Sequence, residues 1–237
     1  MIIIRIAQLN IGVRYRYPFT KEYLSPYATD GEPDFTVEAT DEDLKREAEF
    51  AEEPTENEYL EYVAVYRKIA EILPEYNAAV FHGAVLDVDG KAYMICARSG
   101  VGKTTHIRLW EKAFSDRVSV LNGDKPVIRV IDGKVYACGT PYNGKEGMGK
   151  PGTLVLSGIA FLMRGEENSY RRVTPSEALE RFMGQMYISN LDRISALKTL
   201  RLADKILSEV PLYEFRCNMD VSAAKMAEKA FISDKEK

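Results

Sequence analysis

The chain has 237 residues, 46% of them hydrophobic, with 29% charged and a formal net charge of −4. That length suits one domain, or one domain with a small appendage, and the composition supports a sizeable core. The acidic balance argues against a basic surface for nucleic acid. No run of about 18 apolar residues occurs, which argues against a membrane span. The opening apolar run ends at Arg5, too short for a signal peptide. Cys96, Cys138 and Cys217 are widely spaced, lack metal-ligand spacing and cannot all pair, which points to a reducing, cytoplasmic setting.

Taken in order, residues 2–11 and 13–17 are rich in β-branched and aromatic types and read as strands. Pro18, Pro26 and Pro33 punctuate the next segment. Residues 41–59 are strongly acidic, and such a run reads as a solvated helical face or as a dock for a basic substrate. Residues 58–73 carry Leu60, Val63, Ile69 and Ile72 at helical spacing, and Pro74 ends the pattern. Residues 79–96 alternate around Asp89-Gly90, a strong hairpin signal that places His82 in the first strand. Residues 104–114 read as a helix with Ile107, Trp110 and Phe114 on one side. A short strand at 118–121 precedes Asn122-Gly123-Asp124, and a second hairpin turns at Asp132-Gly133. A glycine-rich loop spans 139–152. A buried strand covers 154–163, and Thr174-Pro-Ser-Glu177 is a capping box with proline at the first helical position. Helices at 176–187 and 192–209, a strand at 212–217 and a helix after Asp220 complete the reading. Residues 234–237 read as a frayed tail.

The stretch CARSGVGKTT, residues 96–105, is one residue away from the pattern G-x-x-x-x-G-K-[ST]. Ala97 stands where the first glycine usually does. Amides in such a loop form an anion nest, and the following helix adds its N-terminal partial charge. Gly100 and Gly102 permit the backbone angles, while Ser99 and Val101 contribute amides. Lys103 can reach β- and γ-phosphates, the Thr104 hydroxyl can hold magnesium, and Thr105 can meet another phosphate oxygen. Asp124 ends a strand about 20 residues past the loop, which suits a magnesium ligand or a base. Asn-Gly-Asp is also good turn chemistry. Lys145 and Glu146 sit where a loop could close over an acceptor, or are ordinary surface charges. His106 carries no usable pattern.

Two features together carry a resemblance: Phe81-His-Gly-Ala-Val-Leu-Asp-Val-Asp-Gly90 and the loop Ser99-Gly-Val-Gly-Lys-Thr104. They resemble the catalytic domain of HPr kinase/phosphorylase, and the loop is also similar to that of ATP-type phosphoenolpyruvate carboxykinase. The resemblance covers about residues 79–165. It implies a mixed α/β P-loop fold with antiparallel hairpins and flanking helices. It also implies that His82 lies near the phosphates and Asp124 near the acceptor hydroxyl and metal. The C-terminal part resembles smaller HPr-kinase-like proteins found beside peptide-modification genes. Three positions depart from the pattern. Lys125 replaces the second acid, Arg98 replaces another acid, and Glu146-Gly-Met-Gly149 lacks the arginine of the family's signature loop.

The expectation is an N-terminal α+β appendage, 1–75, on a nucleotide-binding domain, 76–237. The activity expected is an ATP- and Mg2+-dependent kinase acting on a hydroxyl, serine above all, of a peptide or small protein. The alternative is a nucleotide sensor or scaffold without phosphoryl transfer. A GTPase or transport ATPase is disfavoured, because Asn122-Gly-Asp-Lys125 is not Asn-Lys-x-Asp and no Leu-Ser-Gly-Gly-Gln occurs. A homo-oligomer stays open.

Overall fold

Ala7 and Gln8 take left-handed φ of 53° and 60°, and that pair divides the expected first strand. The computed structural model, which describes residues 1–189 and 193–233, has β1 (Ile2–Ile6) antiparallel to β2 (Leu9–Arg14) around this turn. Neither residue is a glycine or asparagine, so hydropathy alone runs through it. The second strand stops at Arg14 rather than residue 17. Pro18 then stands in the first turn of an unforeseen helix, α1 (Pro18–Leu24), where its missing N–H costs nothing. A third strand, β3 (Phe35–Glu38), lies parallel to β2 and completes a small sheet.

The acidic run forms α2 (Asp41–Phe50), opened by a reciprocal Thr40–Asp43 capping box. It is not simply a solvated face. Asp43 and Glu47 are buried, and both carboxylates meet cations of α3 (Asn57–Ile72). Arg67 Nη2 donates to Glu47 Oε2 at 2.8 Å, and Lys68 Nζ lies 2.9 Å from Asp43 Oδ2. These cations offset the cost of taking the two carboxylates out of water, so the charges at this seam join the two helices.

Among the described residues the larger sheet holds nine strands. They are β4 (Ala78–Val80), β5 (Ala84–Val88), β6 (Lys91–Cys96), β7 (Val118–Asn122), β8 (Val127–Ile131), β9 (Lys134–Cys138), β10 (Thr153–Arg164), β11 (Ser169–Arg172) and β12 (Leu212–Cys217). The main path runs β4-β8-β9-β10-β6-β5-β7, with β12 beside β10 and β11 beside β12. The sheet is mixed: β10 is parallel to β6 and β12 but antiparallel to β9. Both Asp-Gly hairpins form as expected, with left-handed φ at Asp89, Gly90, Asp132 and Gly133. One expectation fails here. The run 79–88 is two strands, because β4 pairs with β8 while β5 pairs with β6 and β7. His82 lies in the break between them.

Helices cover both faces. On one, α5 (Pro175–Met183) and α6 (Arg193–Glu209) bring Phe182, Leu202 and Ile206 against Ile159 and Phe161. On the other, α4 (Lys103–Phe114) and α7 (Ser222–Ser233) bring Trp110 and Phe231 against Tyr213 and Phe215. The α5 capping box forms at Thr174 and Glu177, but the helix ends at Met183 rather than at 187. Residues beyond it turn back instead, and Phe81 bridges Met186. Asp192 and the tail 234–237 lie outside the described residues. Cys96, Cys138 and Cys217 are buried free thiols.

Candidate functional site

The glycine loop occupies the turn between the end of β6 and the start of α4. Gly100 and Gly102 have φ of 76° and 123°, angles at which a side chain is strained even though the space around them is open. The turn releases the backbone into α4, whose first-turn amides have no partners within the helix. Lys103, the first helical residue, folds back over the loop. Its Nζ donates to the Ala97 carbonyl at 3.0 Å and sits 3.0 Å from His82 Nε2. Ala97 is buried, so the residue in the first-glycine position acts through its carbonyl.

Asp124 faces Lys103 across a cavity of about 590 Å³. Its Oδ1 is 3.3 Å from His82 Nε2, and its Oδ2 is 3.3 Å from Lys125 Nζ. The turn chemistry belongs to its neighbour. Buried Asn122 accepts the Asp124 and Lys125 amides on Oδ1 at 2.9 and 2.7 Å, and its Nδ2 donates to Thr140. With the turn held by Asn122, the Asp124 carboxylate is left to the cavity. Burial pushes that carboxyl up, but the His82 contact and the Lys125 charge outweigh it and hold Asp124 below its ordinary value. Burial pushes the Lys103 ammonium below its ordinary value, opposed by the Asp124 charge. His82 Nε2 therefore stands between a donor-only ammonium and an acceptor-only carboxylate. It can accept from one or donate to the other, and not both at once.

The same cavity is lined by Ser99, Gly100, Gly102, Thr104, Thr105 and the segment with Lys145 and Glu146. The structure thus brings the sequence candidates together, with two refinements. Val101 lines a neighbouring cleft instead. Glu146 points its carboxylate at Arg108 of α4, whose Nη2 donates to Oε2 at 2.9 Å, so at the rim it bridges its loop to α4. Thr104 and Asp124 line one cavity, but among the described residues no group of three or more His, Cys, Asp or Glu could hold a metal ion. One carboxylate and one hydroxyl fit a magnesium ion that arrives on phosphates and keeps its waters, rather than one caged by protein.

Three further contributions were invisible to motif reading. Arg164, at the end of β10, donates through Nη2 to the Gly100 carbonyl at 2.6 Å and pins the loop from outside. Tyr142 of the glycine-rich loop stacks on Tyr66 and Tyr62 of α3, with ring centroids 3.6 and 4.3 Å away. The same two α3 tyrosines donate to the backbone carbonyls of Lys125 and Pro141 at 2.6 and 2.9 Å. At Gly139 the chain passes so close to itself that a Cβ would stand 2.0 Å from the Lys150 carbonyl oxygen. Only glycine permits that crossing.

A second cleft, about 450 Å³, opens on the other side of the loop between α4 and the ends of β10 and β12. Leu109, Leu162 and Met219 make it apolar, and it shares Gly100, Gly102 and Thr105 with the first cavity. Buried His106 also lines it. Trp110 Nε1 donates to His106 Nε2 at 3.1 Å. Indole is only a donor, so the neutral imidazole carries its proton on Nδ1, and that atom has no partner among the described residues. Burial holds His106 down at about 4.

No protein-family profile matches the sequence, and no curated protein matches it. Among solved structures, the HPr(Ser) kinase/phosphatase from Coxiella burnetii is similar over 66% of this chain and 98% of its own, at 9% identity and a TM-score of 0.40.

Proposed function

We propose that the protein is an ATP-dependent phosphotransferase acting on a hydroxyl, with serine of a peptide or small protein as the acceptor. One observation carries the reading. A glycine loop between a strand and a helix places Lys103 across a single cavity from Asp124, with His82 between them. In this reading residues 1–75 are an appendage to a nucleotide-binding domain of 76–237, and α3 is the part of the appendage that braces the site.

The loop amides of 99–105 and the Lys103 ammonium would hold the β- and γ-phosphates. The base would lie in the apolar cleft beside His106. Thr104 and Asp124 would hold Mg2+, which when bound neutralises phosphate charge. Phosphate competes for Lys103, and as the ammonium leaves His82 Nε2, that nitrogen is free to donate to Asp124. The acceptor oxygen attacks the γ-phosphorus in line with the bond to the β,γ-bridging oxygen. That bond breaks, its electron pair stays with ADP, and the acceptor proton passes to Asp124. A carboxylate held below its ordinary value is a weak base. It suffices because the loose transition state asks for little proton transfer before the phosphoryl group has moved. Lys145 at the rim adds positive charge for the transferring group.

Lys125, 3.3 Å from Asp124 Oδ2, favours a second reading: a nucleotide sensor in which a lysine occupies the carboxylate that catalysis needs. ADP release by the wild type and by Asp124→Asn separates the two. A kinase loses about 100-fold or more in turnover while still binding ATP through the loop and Lys103. Turnover that is the same in both proteins, or absent from both, removes the kinase reading.

A further inference from the structure

A third pocket, about 290 Å³, opens directly beside the phosphate cavity and shares His82 and Lys125 with it. One wall is α3, through Val63, Tyr66 and Ala70; the other is the turn after α5, through Met186 and Tyr187. Backbone bonds hold the second wall to the break between β4 and β5. The His82 amide donates to the Gln185 carbonyl at 2.7 Å, and the Tyr187 amide donates to the Val80 carbonyl at 2.9 Å. The cations at the edge are committed elsewhere, Arg67 to Glu47 and Lys125 to Asp124, which leaves the interior to apolar groups. Gln185 also lines the pocket, and its Oε1 is buried with no partner among the described residues.

Two features therefore meet at the edge of the phosphate cavity. The first is an apolar hole at the lower edge of the usual ligand range of about 300–1,000 Å³, with room for an apolar side chain and the backbone that carries it. The second is a buried amide oxygen that takes one N–H donor, and leaving it unmet is costly. A single amino-acid residue offers both, an apolar side chain and a backbone N–H. We infer that this pocket seats an apolar residue of a peptide acceptor, bonded through its backbone N–H to Gln185, so that the hydroxyl of an adjacent serine faces His82 and Asp124. The inference deepens the kinase reading and rests on it for the fate of the hydroxyl, but the seat itself needs no phosphoryl transfer. Specificity then comes from the residue beside the serine. A lysine there would bring a charge into an apolar hole beside Lys125 and Arg67.

The test is direct binding of fluorescent, terminally blocked pentapeptides of alanine with a central Leu-Ser, Ser-Leu, Lys-Ser or Ser-Lys pair, in the absence of nucleotide. A leucine peptide, in one order or the other, binds at least about tenfold tighter than its lysine counterpart. Val63→Trp, which fills the hole, abolishes that preference. Gln185→Leu weakens leucine and lysine peptides alike by about fivefold, and thermal midpoints within a few degrees of the wild type show that both variants fold. Equal affinity for leucine and lysine peptides, a preference that survives Val63→Trp, or no measurable peptide binding would each overturn the inference. ATP titration of the same samples keeps the two proposals apart. Peptide preference without ATP binding sinks the kinase and leaves the seat, whereas ATP turnover without peptide preference sinks the seat and leaves the kinase.

Discussion

The two walls of the cavity between Lys103 and Asp124 are built by different means. One wall is local: β6, the glycine loop and α4 follow one another in the chain, and two left-handed glycines aim Lys103. The other wall is assembled from afar. Asp124 and Lys125 sit on a turn fixed by Asn122, and that turn and the glycine-rich loop are held by tyrosines of α3, 59 and 79 residues away in sequence. The first wall needs only its own backbone to be right. The second fails if any of several distant packings fails, which ties the geometry of the site to the stability of the N-terminal region.

The far wall is the more vulnerable of the two. Tyr142 is buried and stacked between two rings. Tyr142→Ala should cost about 4 kcal/mol in urea unfolding and should release the loop that carries Lys145 and Glu146. Equal stability of the variant and the wild type would show that the aromatic brace is incidental. The near wall gives a somewhat smaller effect, through acid. His106 of α4 titrates at about 4 when folded against an ordinary 6.5. Between those values the unfolded chain binds a proton that the folded chain refuses. The stabilising difference is whole above pH 6.5 and is lost as pH falls toward 4, by about 3 kcal/mol in all. Urea midpoints at pH 7 and pH 4.5 should show the decline, and His106→Gln should flatten it. An unchanged slope in that variant would place the acid sensitivity elsewhere. Trp110, the chain's single tryptophan, reports the event by fluorescence because its N–H rests on His106.

The difference between the walls also explains what was legible in the sequence. The loop, its helix and both Asp-Gly hairpins are short-range patterns in which backbone angle is written in residue type, and they formed where expected. The turn at Ala7-Gln8 gave no such signal, because its conformation is imposed by strand pairing rather than by residue preference. His82 reads as a strand residue in the sequence for a related reason: apolar alternation runs through 79–88 without marking the change of partner strand. Asp43 and Glu47 looked solvated because a charge reveals nothing of the arginine or lysine that meets it from another helix. The brace of Tyr62, Tyr66 and Tyr142 joins residues too far apart for any periodicity to connect. Among the candidate site residues, Lys103 and Asp124 are legible from spacing and Asn122 from turn chemistry, whereas Arg164 and Gln185 become legible only once the strands are placed.

Everything proposed for the site depends on the loop seating a polyphosphate through Lys103. Calorimetric titration of ATP with magnesium into the wild type and Lys103→Ala at pH 7.5, with ADP and AMP as comparison ligands, probes that step alone. Saturable binding of ATP is expected, with weaker binding of AMP. Lys103→Ala should lose about 100-fold or more in ATP affinity, since a charge-assisted contact to phosphate is removed. ATP affinity equal in the two proteins, or AMP bound as tightly as ATP, would contradict a polyphosphate seat at Lys103.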